Sequence, residues 1–474
     1  MNTDTSEQVA TSDSFRPELP AKREQKGHSK LGALHAIAHS IAARGAMIGI
    51  NAATGILTAR LLAPQGRGEL GAMIMWPVFL ANAMTLGIPN ALRYHIRRKT
   101  LPTSDLIGGA LFLCLIANIV VACVVALLMP RILHLYPPWV VMYAQLFLLN
   151  APVCILVQIC RATFEATENF ASSTQSQWSV PAFNLLGLIG LWIFHRFTPI
   201  SAGYVYVFGA MPITIWLVVQ LWRAYAPTIH AARKTIKILL LYGIRCYGID
   251  LCTTFALYVD QTLVVGMLDA SAMGLYIVAL SLSRMISMTV QASVVMVLFP
   301  KAVGRSLEEI VAITGRAARM TTVCSGSVAL VMSLLGPFLL RLLYGQKYLG
   351  AVPVFRVLLL EVVIASLTGV LAQTPMAAGR PGIVTLLQSA GLAVTIPLMF
   401  LLIPRFGILG AGIALLGSTI CRLVLIVLSY PRFLRIPCPR LLITWPELRQ
   451  FASHIARMLP AGKIAARQSG DGTL

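Results

Sequence analysis

The chain has 474 residues, of which 57% are hydrophobic and 12% charged, and its mean hydropathy is +0.78. A soluble globular domain carries roughly 25% charged residues. The composition therefore excludes a soluble enzyme or nucleic-acid binder, although 38 basic against 17 acidic residues give a net charge of +21. It predicts an all-α polytopic membrane protein whose positive charge is gathered in loops on one side of the bilayer.

Residues 1–30 are polar and mixed in charge, with no apolar run behind a basic start. They read as a disordered cytoplasmic tail rather than a cleavable signal. Twelve apolar stretches follow, near 37–58, 70–91, 105–128, 140–160, 178–195, 201–222, 239–266, 272–299, 320–340, 352–375, 382–403 and 407–429. Most reach the ~17 to 25 residues that a spanning helix needs. With both termini placed in the cytoplasm, 26 basic residues fall in inside segments and 7 in outside ones. That bias sets the predicted orientation.

An internal repeat is visible in the turns. Leu62-Ala-Pro-Gln-Gly-Arg-Gly68-Glu-Leu70 aligns without gaps on Leu268-Asp-Ala-Ser-Ala-Met-Gly274-Leu-Tyr276, each joining one stretch to the next. Ser201-Ala-Gly203 matches Gly410-Ala-Gly412 at the start of the sixth and twelfth stretches. The chain thus reads as two six-helix lobes, 31–222 and 239–430, joined by a basic cytoplasmic linker, 223–238. Six is even, so the lobes enter from the same face and relate by a pseudo-two-fold along the membrane normal. Residues 431–474 form a basic cytoplasmic tail, in which Leu448, Phe451, Ile455 and Met458 share one face of an amphipathic helix suited to a lipid surface or a docking partner.

No cofactor is expected. The nine cysteines form no CxxC pair, His35 and His39 have helical i, i+4 spacing without an acidic or thiol partner, and no GxxxxGK[ST] loop is present. No metal site, no catalytic residue and no nucleic-acid partner follow from these patterns.

The chemistry is carried by charges inside the apolar runs. Arg284 lies about 18 Å from the outer end of its helix at about 1.5 Å per residue, near the middle of a bilayer core of about 30 Å, where snorkelling is difficult. Arg44, Arg245 and Arg422 lie each about 10 Å from a cytoplasmic helix end, within reach of headgroups, and Arg356 is interfacial. Asp250, Asp260 and Glu361 are carboxylates in the second lobe; each needs an arginine or a proton to neutralise it. Ion coupling and a structural ion pair with Arg245 or Arg284 both account for Asp250 and Glu361. Arginine supplies the permanent charge and planar donors that a diphosphate requires, and no carboxylate lies deep in the first six stretches, as an organic-cation cavity would want.

The paired segments GILTARLLAPQGRGELGAMIMWP with LGIPNALRYH, and YVDQTLVVGMLDASAMGLYIVALSLSRM with VMVLFP, resemble the two halves of a polysaccharide flippase of the multidrug, oligosaccharidyl-lipid and polysaccharide exporter superfamily. The similarity runs from about Leu31 to Tyr430, with Asp260-Gln261 and Gly274-Leu-Tyr276 as its most specific piece. It implies a monomer in the bacterial inner membrane that moves a polyprenyl-diphosphate-linked glycan outward by alternating access. Membrane lipids and other polysaccharide assembly proteins are the implied partners. It further implies a cationic cavity holding Arg284, Arg44 and Arg245, with Asp260 at a site or packing position near the outer gate. A drug or metabolite cation exporter of the same superfamily is the alternative, and a membrane glycosyltransferase or acyltransferase is a third reading.

Overall fold

The computed structural model describes residues 30–230, 232–302, 306–378, 380–434 and 436–441. Their regular structure is entirely helical: α1 (Lys30–Ala83), α2 (Ile88–Arg98), α3 (Thr103–Ile132), α4 (Pro138–Phe147), α5 (Ala151–Ala166), α6 (Phe170–Ile193), α7 (Pro199–Phe208) and α8 (Met211–Tyr225) in the first half. The second half holds α9 (Ala232–Met267), α10 (Ala270–Ala302), α11 (Leu307–Leu343), α12 (Val352–Leu371), α13 (Gln373–Ala377) and α14 (Pro381–Ser429). Residues 47–474 cluster as one compact unit and residues 1–46 as another. The amphipathic segment expected around 448–458 and the tail before residue 30 lie outside the described residues.

Eight segments among the described residues are long and apolar enough to cross a membrane, and nine if the bent α9 is included. Two of them, Gly45–Ala83 and Gly382–Phe433, are 39 and 52 residues long, too long for one crossing. Each contains a break that divides it. Ala63 adopts φ 55 and ψ 177 just before Pro64; the extended ψ is what a following proline imposes on a residue that would otherwise stay helical. Gly407 adopts φ 58, a conformation that costs glycine little. With the more polar, 24-residue α6 the spans number twelve, in two lobes.

The repeat has a spatial meaning. Gly68 and Gly274 face each other where α1 meets α10: a Cβ on Gly68 would lie 1.7 Å from Ala270 O, and one on Gly274 would lie 1.9 Å from Pro64 O. Only residues without a Cβ fit there, so the two lobes touch backbone to backbone. We refer to this as the glycine end of the bundle, and to the end carrying Arg93 to Lys99 as the basic end. The second matched pair also supports close helix packing, with Gly203 against Phe147 and Gly412 against Val354.

Helix α9 straddles the lobes. Its first part buries Thr235 and Leu239, and Leu239 belongs to the same apolar cluster as Ile88, Leu92, Leu106 and Ile155 of the first half. The segments Arg233–Gly248 and Asp250–Met267 meet at 50°, and α9 also packs extensively on α14 of its own half. The linker before it is docked as well, since Thr228 donates to Asp105 Oδ1 at 2.7 Å and to Ser104 O at 3.2 Å.

Candidate functional site

Successive helices α9 and α10 bring Asp260 and Arg284 together. Arg284 Nη2 donates to Asp260 Oδ2 at 3.0 Å and to Leu257 O at 2.8 Å. Tyr276 Oη donates to the same carboxylate oxygen at 3.0 Å. Asp260 is fully buried while the Arg284 side chain keeps 28% of its surface. The buried end of the pair is therefore anionic and the accessible end cationic. Among the described residues Asp260 Oδ1 has no hydrogen-bond partner, and the guanidinium's bonds all run through Nη2, leaving Nε and Nη1 without acceptors.

A second chain of polar groups links α12 and α14. Thr419 Oγ1 donates to Glu361 Oε1 at 2.8 Å and accepts from Arg422 Nη2 at 2.7 Å, while Arg422 Nη1 donates to Gln388 Oε1 at 3.1 Å. One hydroxyl thus relays the charge of Arg422 to Glu361 without direct contact. The arginine stem lies against Gly391, where a Cβ would stand 2.4 Å from Arg422 Cδ. The fields of Arg284 and Asp260 also act on Glu361, so the two chains form one electrostatic group of two acids and two arginines.

Asp250 belongs elsewhere. Its Oδ2 accepts from Asn90 Nδ2 at 2.8 Å, across the lobes. Asn90 Oδ1 in turn accepts from Arg93 Nη1 at 2.8 Å, and Arg93 Nε donates to Glu165 Oε2 at 2.8 Å. Ser173 closes the chain on Glu165 Oε1 at 3.1 Å. Beside it, Tyr94 stacks on Tyr242 at 4.3 Å between centroids. Gly87, at φ 67, also approaches Gly243, with a Cβ position 2.2 Å from Gly243 O. The lobes are therefore in contact on this side through a polar chain, and at the glycine end through bare backbone.

At the glycine end three further bonds join the lobes. Arg60 donates to the carbonyls of Leu342 and, at 2.8 Å, of Leu343, both in the last turn of α11. Tyr348 Oη donates to Ala59 O at 3.0 Å. A cation at a helix C-terminus is favourable because unsatisfied carbonyls gather negative charge there.

The sequence-predicted residues are thus divided. Arg284, Asp260 and Glu361 fall in one neighbourhood, and the carboxylate that neutralises Arg284 is Asp260, not Asp250 or Glu361. Arg245 is exposed and takes no part in these bonds. The Arg44 side chain lies outside the described residues. Arg422, read from depth alone as a headgroup anchor, is instead built into the Glu361 chain; its small neighbour Gly391 is the signal that depth arithmetic overlooks. Among the described residues no group of three or more His, Cys, Asp or Glu could hold a metal ion. A recess of about 730 Å³ lined by Arg97, Lys99, Thr100, Thr103 and Glu168 sits at the ends of α2, α3 and α5, next to the Glu165 end of the Asp250 chain, where Arg97 Nη2 donates to Glu165 O at 3.4 Å.

The model of the polysaccharide biosynthesis protein family matches residues 57–353, more than half of the chain. The chain belongs to that family. Among solved structures, the lipid II flippase MurJ in an inward closed conformation is similar at a TM-score of 0.71 with 12% identity, over 83% of this chain and 87% of that one. An inward-facing multidrug resistance MATE family transporter of the MOP superfamily is similar at 0.66 and 14%, over 81% and 93%. A MOP superfamily transporter from Pyrococcus furiosus gives 0.53 and 13%, over 81% and 93%. No curated protein matches. At such identities the likeness establishes the twelve-helix, two-lobed fold of the MOP superfamily, whose members here are transporters and a flippase rather than enzymes.

Proposed function

We propose that this polysaccharide biosynthesis protein is a flippase that carries a polyprenyl-diphosphate-linked glycan from the inner to the outer leaflet of a bacterial cytoplasmic membrane, with both termini and the basic end in the cytoplasm. The observation that carries the reading is Arg284. Its guanidinium is anchored on one nitrogen by the buried Asp260 and Leu257 O, and its remaining donors have no acceptor among the described residues. A phosphate oxygen is the acceptor that such a planar cation matches best. The 26 to 7 bias of basic residues supports the orientation.

The pairing also limits how the site works. While Asp260 is ionised it shares Arg284 with any arriving phosphate, so loading is favoured when a proton or cation neutralises the carboxylate. Asp260 and Glu361 are the groups through which an ion couples to transport in this reading, and Asp250 acts at the contact between lobes. An exporter of organic cations draws support from one feature, the unpartnered Oδ1 of the buried Asp260; Arg284 beside it opposes a cationic cargo.

Proteoliposomes containing the purified protein and an undecaprenyl-diphosphate-linked oligosaccharide, probed with an impermeant glycosidase, test the reading. Glycan becoming accessible with wild type and not with Arg284→Ala supports it. Unchanged accessibility together with efflux of a cationic dye would replace it with the exporter reading.

A further inference from the structure

Arg67 stands in a place made for an apolar side chain. In the aligned turn its counterpart is Met273, which is fully buried and packed in the core cluster shared by the two lobes. The repeat therefore directs position 67 into the seam beside Gly68, and this chain puts a guanidinium there. Nε and Nη1 of Arg67 are shielded from solvent and have no hydrogen-bond partner; Nη2 is not among the shielded atoms. The contrast with Arg60 on the same helix is informative, because Arg60 is satisfied by the last carbonyls of α11.

Among the described residues no carboxylate forms an ion pair with Arg67, although the charges of Asp269 and Glu69 reach Tyr136 of the same apolar cluster. Glu69, two residues on and itself buried, accepts from Gln65 at 3.3 Å and forms no ion pair with Arg67. The charge of Arg67 acts instead on Tyr344 and Tyr348 of the second lobe, both buried. Tyr136 belongs to the same apolar cluster, and its hydroxyl is likewise shielded and unpartnered. The shielded nitrogens of Arg67 have no acceptor among the described residues, and an anion can reach the guanidinium through Nη2. Both two-donor edges of a guanidinium include Nη2, so an oxyanion arriving on that side meets one open and one shielded nitrogen.

We propose that Arg67 forms a second anion site, at the glycine end of the seam between lobes, which takes the phosphoryl group of a membrane lipid. A planar guanidinium at the edge of an apolar seam fits a phosphoryl oxyanion carried on a lipid tail. Two sources share this chemistry, the headgroup of an anionic phospholipid and the diphosphate of a polyprenyl lipid. The site is separate from Arg284, and it stands whether or not the chain moves a glycan.

Binding is measured without transport. Wild type, Arg67→Gln, Arg67→Met and Arg67→Lys are purified in detergent and titrated by native mass spectrometry with phosphatidylglycerol and with undecaprenyl diphosphate. The glutamine and methionine variants should lose roughly ten- to a hundredfold in affinity for the lipid that uses the site, the range expected when a charged hydrogen bond is removed, and the lysine variant should lose less. Loss for phosphatidylglycerol alone identifies the headgroup, loss for undecaprenyl diphosphate alone identifies the polyprenyl lipid, and loss for both means that either is accepted. Unchanged affinity for both lipids in Arg67→Met overturns the proposal. Thermal unfolding without lipid is a second check. Arg67→Met, which restores the residue of the sister repeat, should unfold at the wild-type temperature or above, and a clear drop would mean that Arg67 serves packing instead.

Discussion

Replacing Arg284 by alanine leaves Asp260 with no basic partner at a position with no solvent access. Breaking a buried ion pair by removing one partner costs about 3 to 5 kcal/mol. Here Tyr276 still donates to the carboxylate and the Arg284 side chain is 28% accessible, so the lower end, about 3 kcal/mol, is expected. Asp260→Asn should cost less, about 1.5 kcal/mol, because it removes one charged hydrogen bond while the partly open guanidinium keeps Leu257 O and reaches solvent. In the double variant no charge is stranded. It should be more stable than Arg284→Ala alone, with a coupling of about 1 to 3 kcal/mol.

The assay is thermal unfolding of the four proteins in one detergent, with glycan export in cells measured in parallel. Stability should rank wild type, then Asp260→Asn, with the double variant above Arg284→Ala. Export should fail in both proteins that lack Arg284, since restoring stability does not restore a phosphate donor. A double variant no more stable than Arg284→Ala would refute the pairing argument. Recovery of export in the double variant would reduce Arg284 to a counter-ion and remove the basis for its role with substrate.

Gly68→Ala or Gly274→Ala should prevent the glycine end from closing, at a cost of about 1 to 3 kcal/mol to the closed state, since each Cβ would enter a backbone carbonyl. A cysteine at Tyr348 in a cysteine-free background should then react faster with an impermeant thiol reagent, and an unchanged rate would count against the contact. Asn90→Asp faces a second carboxylate at Asp250, 2.8 Å from the present amide, and should depress export; Asn90→Asp combined with Asp250→Asn exchanges the two groups and should recover it, which a mere loss of helix packing would not allow. Cysteines near Lys234 and Lys347 should label from opposite sides of the membrane, and labelling from the same side would overturn the orientation.

The helix pattern was readable because a bilayer demands runs of a fixed length, and the repeat in the turns gave the lobes. Apolar runs alone did not reveal that the first and second spans, or the last two, are continuous except for single residues such as Ala63 and Gly407. Those breaks depend on one backbone torsion each, which leaves hydropathy unchanged. Depth arithmetic placed Arg284 near a carboxylate but chose between Asp250 and Glu361, because distance along a helix axis ignores which face a residue occupies. Asp260 and Arg284 meet because α9 and α10 form a hairpin, and 24 residues separate the partners. Arg422 was misjudged for the same reason: the glycine that accommodates it, Gly391, lies on the preceding span.

The two contacts between lobes differ in what would release them, and α9 connects that difference to the charged site. At the glycine end the closest approach is backbone on backbone, a contact that a proton does not alter directly. Towards the basic end the contact runs through Asp250, Asn90, Arg93 and Glu165, and it loses strength when a carboxylate is neutralised. Asp250 and Asp260 lie on the same helix, about 15 Å apart at about 1.5 Å per residue, on the same side of the bend. One carboxylate holds the first lobe while the other holds Arg284, so a change of charge at Asp260 acts on a rigid segment whose other end is bonded across the seam. Under the proposed function, no separate gate helix is needed to connect loading with release of the lobes. The bend near Gly248 lies between two first-lobe contacts of α9, Tyr242 on Tyr94 and Asp250 on Asn90, and is the place where such a movement can be taken up.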